Sequence, residues 1–544
     1  MESTDGRTWS HGYQNDVIPL PNIRKLQAGG LEFHRHYSNV PVCCPSRASF
    51  WSGRHAHHIP HLHGDVDVGG AWNNFEGLPA GYSDRIDQVV SREGYNSLVA
   101  GKTDWSTGGH SINVRLAAWN MYTDFPYNIP EAGGWREETD DCRTNGSVRA
   151  GGGPDGAGSA HAGDWKNVGK TTAFIQQASQ TPSVPWFAFI GADIVHPPYN
   201  TNAFYYDKID PSKIDLPTWA PLEELHPCDL QSSMLKGCTP SKNESDFFYS
   251  DDRRRNVRRI YYAMIAEWDA MVGAHMDAVR KAGVWNQTVF IVTSDHGDMQ
   301  MEHQQHYKMV PYDASASVPM VIYDGRPGKQ VPGGKVISTT SQLIDIFPTV
   351  LEFAQIKEPQ WPKGLDGNSL LPLFDQPGAA DGFVVSQFHG DNIAMSWFLV
   401  VATGITPPGS PSPPQTFKLI VYGTGKEVPS MLFNLDQDPG ELANLAAKPD
   451  HAAILAYLET KLSSVVDYPK IATEVAQYGQ AMMRQWINQT GPSWKDAVHT
   501  PGMRWDSSWD FNASGAIAAI EQWLTEPAVV KPCKAAMVWP PVHV

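Results

Sequence analysis

Val289-Phe290-Ile291-Val292-Thr293-Ser294-Asp295-His296-Gly297 reads as a short buried strand that runs into a polar loop. Trp186-Phe187-Ala188-Phe189-Ile190 repeats the plan and continues into Gly191-Ala192-Asp193-Ile194-Val195-His196. Between the two, Met264, Ile265, Trp268, Met271, Val272, Met276 and Val279 recur at helical spacing, and Gly283 stops the run. A second helix is expected near Gln342 to Phe353, with Leu343, Ile344, Ile346, Phe347 and Val350 on its apolar side. Strands alternating with helices predict an α/β fold with a mostly parallel central sheet flanked by helices. In such sheets the chemistry collects beyond the carboxyl ends of the strands, where His196 and Asp295-His296 fall.

The pattern changes after about residue 380. Phe417 to Tyr422 and Met431 to Leu435 read as antiparallel strands of a smaller C-terminal α+β domain. With 544 residues the chain is too long for one ordinary core. The expected division is a catalytic domain over 1–378 and a smaller domain over 379–544. A net charge of −16 argues against nucleic acid as a partner, though a local basic pocket can still take an anionic substrate. No apolar run is long enough to span a bilayer. Six cysteines are few for this length, and Cys228 and Cys238 are close enough in sequence to bridge. Such a bridge suits an exported protein, as do sequons at Asn145, Asn243, Asn286, Asn488 and Asn512. The opening Met1-Glu2-Ser3-Thr4-Asp5 is polar and is not a signal peptide.

The chemistry centres on Cys43-Cys44-Pro45-Ser46-Arg47, which fits Cys-x-Pro-Ser-Arg. Alone, such a cysteine pair is as well explained by core packing. Four other stretches accompany it: Gly101-Lys102-Thr103-Asp104, Val195-His196-Pro197-Pro198, Asp295-His296-Gly297, and Glu302-His303 through Lys308 to Tyr312-Asp313. Together these motifs resemble the type I formylglycine-dependent sulfatases, and the alkaline-phosphatase-like fold of that family is the expected architecture. The likeness is sharpest to the arylsulfatase K branch, through Trp72 to Leu78, Gly109-His110-Ser111-Ile112, Phe388-His389-Gly390 and Ala518 to Leu524.

The resemblance implies that Cys43 is oxidised to formylglycine by a formylglycine-generating enzyme. It implies one calcium ion, held by Cys43, Asp295, His296 and, at the place of a metal aspartate, Glu2. Arg47, Lys102 and Lys308 would stabilise the sulfate charge and His196 would protonate the leaving alcohol, with His110, His303 and His389 on the substrate. It further implies a sulfated uronate, glucuronate 2-sulfate, or a related sulfated glycan as substrate, and a secreted or lysosome-like location.

Four departures qualify the likeness. His296 stands where the family often has Asn, and imidazole is an unusual calcium ligand, so a purely hydrogen-bonding role for it stays open. Asp104 stands where many arylsulfatases have His, and Asp313 where the usual residue is Glu. No apolar strand precedes Glu2, so the first strand is expected to be missing and the metal site weak. A phosphodiester or phosphonate-ester hydrolase and a non-catalytic binder of sulfated glycans are the alternative readings.

Overall fold

The computed structural model describes residues 17–60, 62–63, 66–67, 70–72, 77–106, 146–221, 224–229, 232, 250–328, 333–375, 382–389, 396–407, 413–497, 513–530 and 533. The strands that position the site are β1 (Leu31–Phe33), β2 (Asn96–Gly101), β3 (Trp186–Gly191), β4 (Val289–Thr293), β5 (Met320–Asp324) and β6 (Lys335–Ile337). Four of them form one sheet in the order β6-β1-β5-β4. β1 and β6 are parallel, while β5 runs antiparallel to both of its neighbours. β2 and β3 make a parallel pair, in register from Asn96 opposite Trp186 to Gly101 opposite Gly191. A further sheet, β7 (Phe383–Phe388), β8 (Trp397–Ile405), β9 (Gln415–Tyr422) and β10 (Met431–Asn434), is antiparallel throughout. Its last two strands lie where the change of pattern after residue 380 predicts them.

Helices α1 (Cys43–Ser52), α2 (Ile86–Arg92), α3 (Ala162–Ala178), α4 (Asp251–Lys281) and α5 (Ile346–Phe353) pack around the first strands. The long α4 shows why its sequence is a helix. The Ser250 hydroxyl accepts from the Arg253 amide, Asp251 and Asp252 fill the first turn, and Arg280 and Lys281 the last. Each charge faces the favourable end of the helix dipole. The apolar stripe read from the sequence faces inward, and Ile265 and Met276 belong to the same buried cluster as Ile194 and Val195 beyond β3. α1 ends at Gly53, whose φ of 68° is left-handed and whose amide returns to the Ser49 carbonyl. A Cβ at Gly53 would come within 3.0 Å of Phe347 on α5, so glycine is needed for conformation and for space.

One core joins the two main sheets. Ala48 and Trp51 of α1 belong to the same buried cluster as Trp397, Ile420 and Phe433 of the antiparallel sheet. Beside it lies a buried ion network. Lys418 Nζ, fully buried on β9, sits 2.5 Å from Asp313 Oδ1 and 2.6 Å from Glu441 Oε1. Glu441 also accepts from the Asp313 amide at 2.6 Å. Burial holds the Glu441 carboxyl up at about 7 against the pull of Lys418.

The cysteines correct one expectation. Cys228 is bridged to Cys533, 305 residues away, and not to its sequence neighbour Cys238, which lies outside the described residues. Both bridged cysteines are buried in the core that the two sheets share. Closeness in sequence carries no information about such a long-range closure.

Candidate active site

Cys43 is the first residue of α1, so any group on its side chain lies at the positive end of that helix. Two hydroxyl contacts fix the helix against the end of β4. Ser46 Oγ donates to the Asp295 carbonyl at 2.6 Å, and Ser38 Oγ donates to Ser46 Oγ at 3.2 Å. Arg47 then reaches in two directions. Its Nε–H donates to Asp295 Oδ2 at 3.0 Å, and its Nη1 donates to the Lys102 carbonyl at 3.0 Å. The motif on α1 is thereby tied to the carboxyl ends of β4 and β2 together.

Cys43, Asp295 and His296 gather their donor atoms within 4.8 Å, all three buried. His296 Nδ1 sits 2.9 Å from the Gly297 carbonyl, which can only accept, so Nδ1 carries the proton. The Nε2 lone pair is then left pointing at Cys43 Sγ, 3.6 Å away, and at Asp295 Oδ2, also 3.6 Å away. A lone pair facing a carboxylate oxygen without a proton between them suits a cation placed against both. The set therefore fits one divalent ion, and a hard ion would be better matched by an oxygen at position 43 than by the thiol sulfur. Glu2, the fourth expected ligand, lies outside the described residues, as does His110.

Cys44 differs from its neighbour. It is fully buried, and burial, reinforced by Asp104, pushes its thiol well above the ordinary range. A neutral buried thiol is unreactive, which agrees with its variable place in the motif.

Lys102 leaves the end of β2 with Nζ 3.4 Å from Asp104 Oδ2 and 3.3 Å from Asp193 Oδ1. Its backbone is pressed onto Gly191, where a Cβ would come within 1.9 Å of the Lys102 carbonyl. His196 follows β3, on a turn whose Asp193 and Ile194 amides donate to Asp164 at 2.9 Å each. Its Nδ1 lies 2.5 Å from the Pro197 carbonyl, so Nδ1 is the protonated nitrogen and Nε2 carries the lone pair.

Lys308 is buried, on a loop with an unusual backbone. Gln300, Met301, His303, Gln304, Tyr307 and Met309 all have positive φ, between 47° and 79°. Such residues cost on the order of 1–3 kcal/mol each and persist only where the surroundings hold them. Arg258 on α4 supplies part of that hold, donating from Nη1 to the Gln300 carbonyl at 3.0 Å and to Glu302 Oε1 at 3.1 Å. The Met309 amide donates to the Pro41 carbonyl at 3.1 Å. Asp298 sits beneath the loop. Burial pushes its carboxyl up to about 6 while the Tyr199 hydroxyl and Lys308 pull it down.

Arg258 and Asp298 are absent from the sequence reading. Arg258 had a signal: it falls seven residues before Ile265, on the buried stripe of α4, where a charge demands a partner.

The two expected substrate histidines sit differently. His303 stacks on Tyr312 with centroids 3.6 Å apart and places Nε2 3.0 Å from the Gly440 carbonyl. His389 is fully buried, with Nδ1 2.9 Å from Ser396 Oγ and its ring edge-on to Trp72 and Phe398. Burial lowers its pKa to about 3. Its Nε2 is buried and meets no hydrogen-bond partner among the described residues.

A sulfatase family model matches residues 1–356, and a model described as N-sulphoglucosamine sulphohydrolase, C-terminal, matches residues 301–467. Arylsulfatase K of Bos taurus is 32% identical over 96% of this chain and 90% of its own length. Arylsulfatase K of Homo sapiens is 31% identical over 96% and 91%. Among solved structures, a phosphonate monoester hydrolase of Agrobacterium radiobacter aligns with a TM-score of 0.60 at 21% identity, over 85% of this chain and 94% of that one. A 2-O GAG sulfatase aligns with a TM-score of 0.54 at 17% identity, over 91% and 92%. At these identities the solved structures speak for the fold alone.

Proposed function

The chain belongs to the sulfatase family, and from that premise we propose that it hydrolyses a sulfate ester with a formylglycine at position 43 and one calcium ion. The observation that carries the reading is the convergence of Cys43, Asp295 and His296 at the start of α1, locked by Arg47 to β4 and β2. Hydrated formylglycine would supply a hydroxyl nucleophile, and a bound cation would supply polarisation of the sulfate and a lower pKa for that hydroxyl. Asp295 and His296 would hold the ion.

The chain's own residues do the rest. Arg47 pairs with Asp295 and keeps its carboxylate beside the Cys43 side chain. Lys102 and Lys308 add positive charge against the negative charge that spreads over the sulfate oxygens in the transition state. His196, with Nδ1–H held by Pro197, would take up a second proton at Nε2 and, as the imidazolium, deliver it to the departing alcohol oxygen.

The proposed substrate is a glycan bearing a sulfated uronate, in particular glucuronate 2-sulfate. The similarity to arylsulfatase K over nearly the whole chain supports it. A secreted or lysosome-like location belongs to the same proposal, supported by the long-range Cys228–Cys533 disulfide. Maturation would require a formylglycine-generating enzyme.

The deciding experiment joins mass spectrometry of the Cys43 peptide to a substrate panel. The expected result is an aldehyde at Cys43 and fastest release of sulfate from 2-O-sulfated uronates. Preference for a 6-O-sulfated glucosamine would reject the sugar and leave the sulfatase. Faster turnover of aryl phosphodiesters than of aryl sulfates would move the reaction to phosphoryl chemistry. Retention of sulfated glycan with no sulfate released would make the protein a binder.

A further inference from the structure

Each of the three cations expected at the sulfate already faces a carboxylate. Arg47 Nη2 lies 2.9 Å from Asp295 Oδ2. Lys102 Nζ lies 3.4 Å from Asp104 Oδ2 and 3.3 Å from Asp193 Oδ1. The charge of Lys308 acts on the buried Asp298. Unmatched cations would draw the most negative ligand hardest, whereas cations matched by carboxylates do not.

The four carboxylates are not equivalent. Asp295 belongs to the group with Cys43 and His296, and Asp298 lies buried beneath the Lys308 loop. The Asp193 side chain is 66% exposed, so water and salt screen it from anything bound nearby. Asp104 stands outside the Cys43 group and is not open to water. Its side chain is 14% exposed and that of Lys102 13%, and charges so placed are screened much less. Its field reaches the start of α1, because it reinforces the upward push on the Cys44 thiol, one residue from position 43.

The local backbone suits this residue type. Asp104 has a φ of 42°, a left-handed conformation that Asp and Asn adopt more readily than other side chains. The end of β2 therefore carries a lysine and its carboxylate out together, at positions 102 and 104.

We propose that Asp104 is a specificity-determining residue, which admits esters of one negative charge and excludes phosphate monoesters. This rests on the sulfatase reading, with Lys102 against the bound oxyanion, and it narrows the substrate class of that site. A sulfate ester carries one negative charge, whereas a phosphate monoester of the same shape carries nearly two at neutral pH. Both heads are tetrahedral and similar in size, so packing does not separate them. A half-buried carboxylate beside the lysine repels the second charge, which is selection by a bad contact for the wrong ligand. Phosphodiesters, singly charged like sulfate esters, pass the same filter.

The test uses the full chain and two ligands that lack an ester bond, benzenesulfonate and phenylphosphonate. They share a ring and a tetrahedral head. Near pH 8 the phosphonate carries the extra charge, and near pH 5 it has taken up a second proton, as a phosphate does. Titration calorimetry reads both affinities, and their ratio is the quantity compared. The wild type should bind the sulfonate at least tenfold tighter near pH 8, and this preference should fall at least threefold near pH 5. Asp104→Asn keeps the shape and tolerates the left-handed backbone but removes the charge, so it should cut the preference near pH 8 at least fivefold. Equal affinities near pH 8 in the wild type, or tighter binding of the phosphonate, would overturn the proposal. So would an unchanged ratio in Asp104→Asn with both affinities moved together, because Asp104 would then only position Lys102. No saturable binding of the sulfonate would overturn it as well. The wild-type pH comparison needs no variant, so it stands even if Asp104→Asn fails to fold. Sulfate release from an aryl sulfate is measured alongside: its absence would overturn the sulfatase reading, while the affinity ratio judges the charge selection on its own.

Discussion

Arg47 and Asp295 meet at a single oxygen: Nε and Nη2 of the guanidinium lie 3.0 and 2.9 Å from Oδ2, and both side chains are almost fully buried. Oδ1 of the same carboxylate accepts from the His296 amide at 2.9 Å. One contact therefore orients the carboxylate, and the other orients the residue beside it.

Breaking that pair leaves a buried carboxylate without its counter-charge. Arg47→Ala should lose roughly 3–5 kcal/mol of stability as well as activity. Urea denaturation of the two proteins measures it. A loss under about 1 kcal/mol, the range of exposed pairs, would mean that water reaches Asp295 freely.

Lys102→Ala and Lys308→Ala should each slow sulfate release by on the order of 3 kcal/mol of transition-state stabilisation, like loss of an oxyanion donor. Steady-state kinetics on an aryl sulfate reads this directly. A change below about tenfold, roughly 1.4 kcal/mol, for both would remove them from the reaction.

Acid should destabilise the fold through its buried histidines. His36 and His389 are fully buried, and burial lowers each pKa to about 3. The unfolded chain takes up those protons near pH 6.5 and the folded chain does not, so stability falls as pH drops below that value. At pH 5 each costs about 2 kcal/mol. Buried carboxyls such as Asp345, held up at about 7, act in the opposite sense, so the comparison must be between variants. His389→Asn should lose less stability than wild type between pH 7 and pH 5. Parallel pH–stability curves would show that His389 is protonated in the folded state.

Cys533→Ser should cost about 2–5 kcal/mol, because the bridge to Cys228 closes a loop of 305 residues. Thermal unfolding with and without reductant checks it. The wild type under reductant should converge on the variant.

Much of this arrangement was legible in the sequence, and for definite reasons. The runs ending in His196 and Asp295 announce strands because apolar blocks followed by polar residues have few other solutions in an α/β chain. The motif from Cys43 to Arg47 is local, so its helix and its chemistry could be read together. The Lys308 loop was opaque, because five of the six left-handed residues around it are Gln, Met and Tyr, types with no preference for that conformation. The role of His389 was not legible, because a histidine packed between aromatic rings and one facing substrate look alike in sequence. The partner of Cys228 was hidden for the same kind of reason, since it depends on where residue 533 returns in space.

Lys418 carries one more consequence. Its two counter-charges come from different places in the chain, Asp313 before the antiparallel sheet begins and Glu441 just after it ends. Severing the protein between the sheets would strand the ammonium on one piece with half of its neutralising charge on the other. Neither piece is then a transplantable module. A chimera that grafts a foreign C-terminal sheet onto this catalytic half must bring a cation to the place of Lys418, or replace Asp313 in the same step.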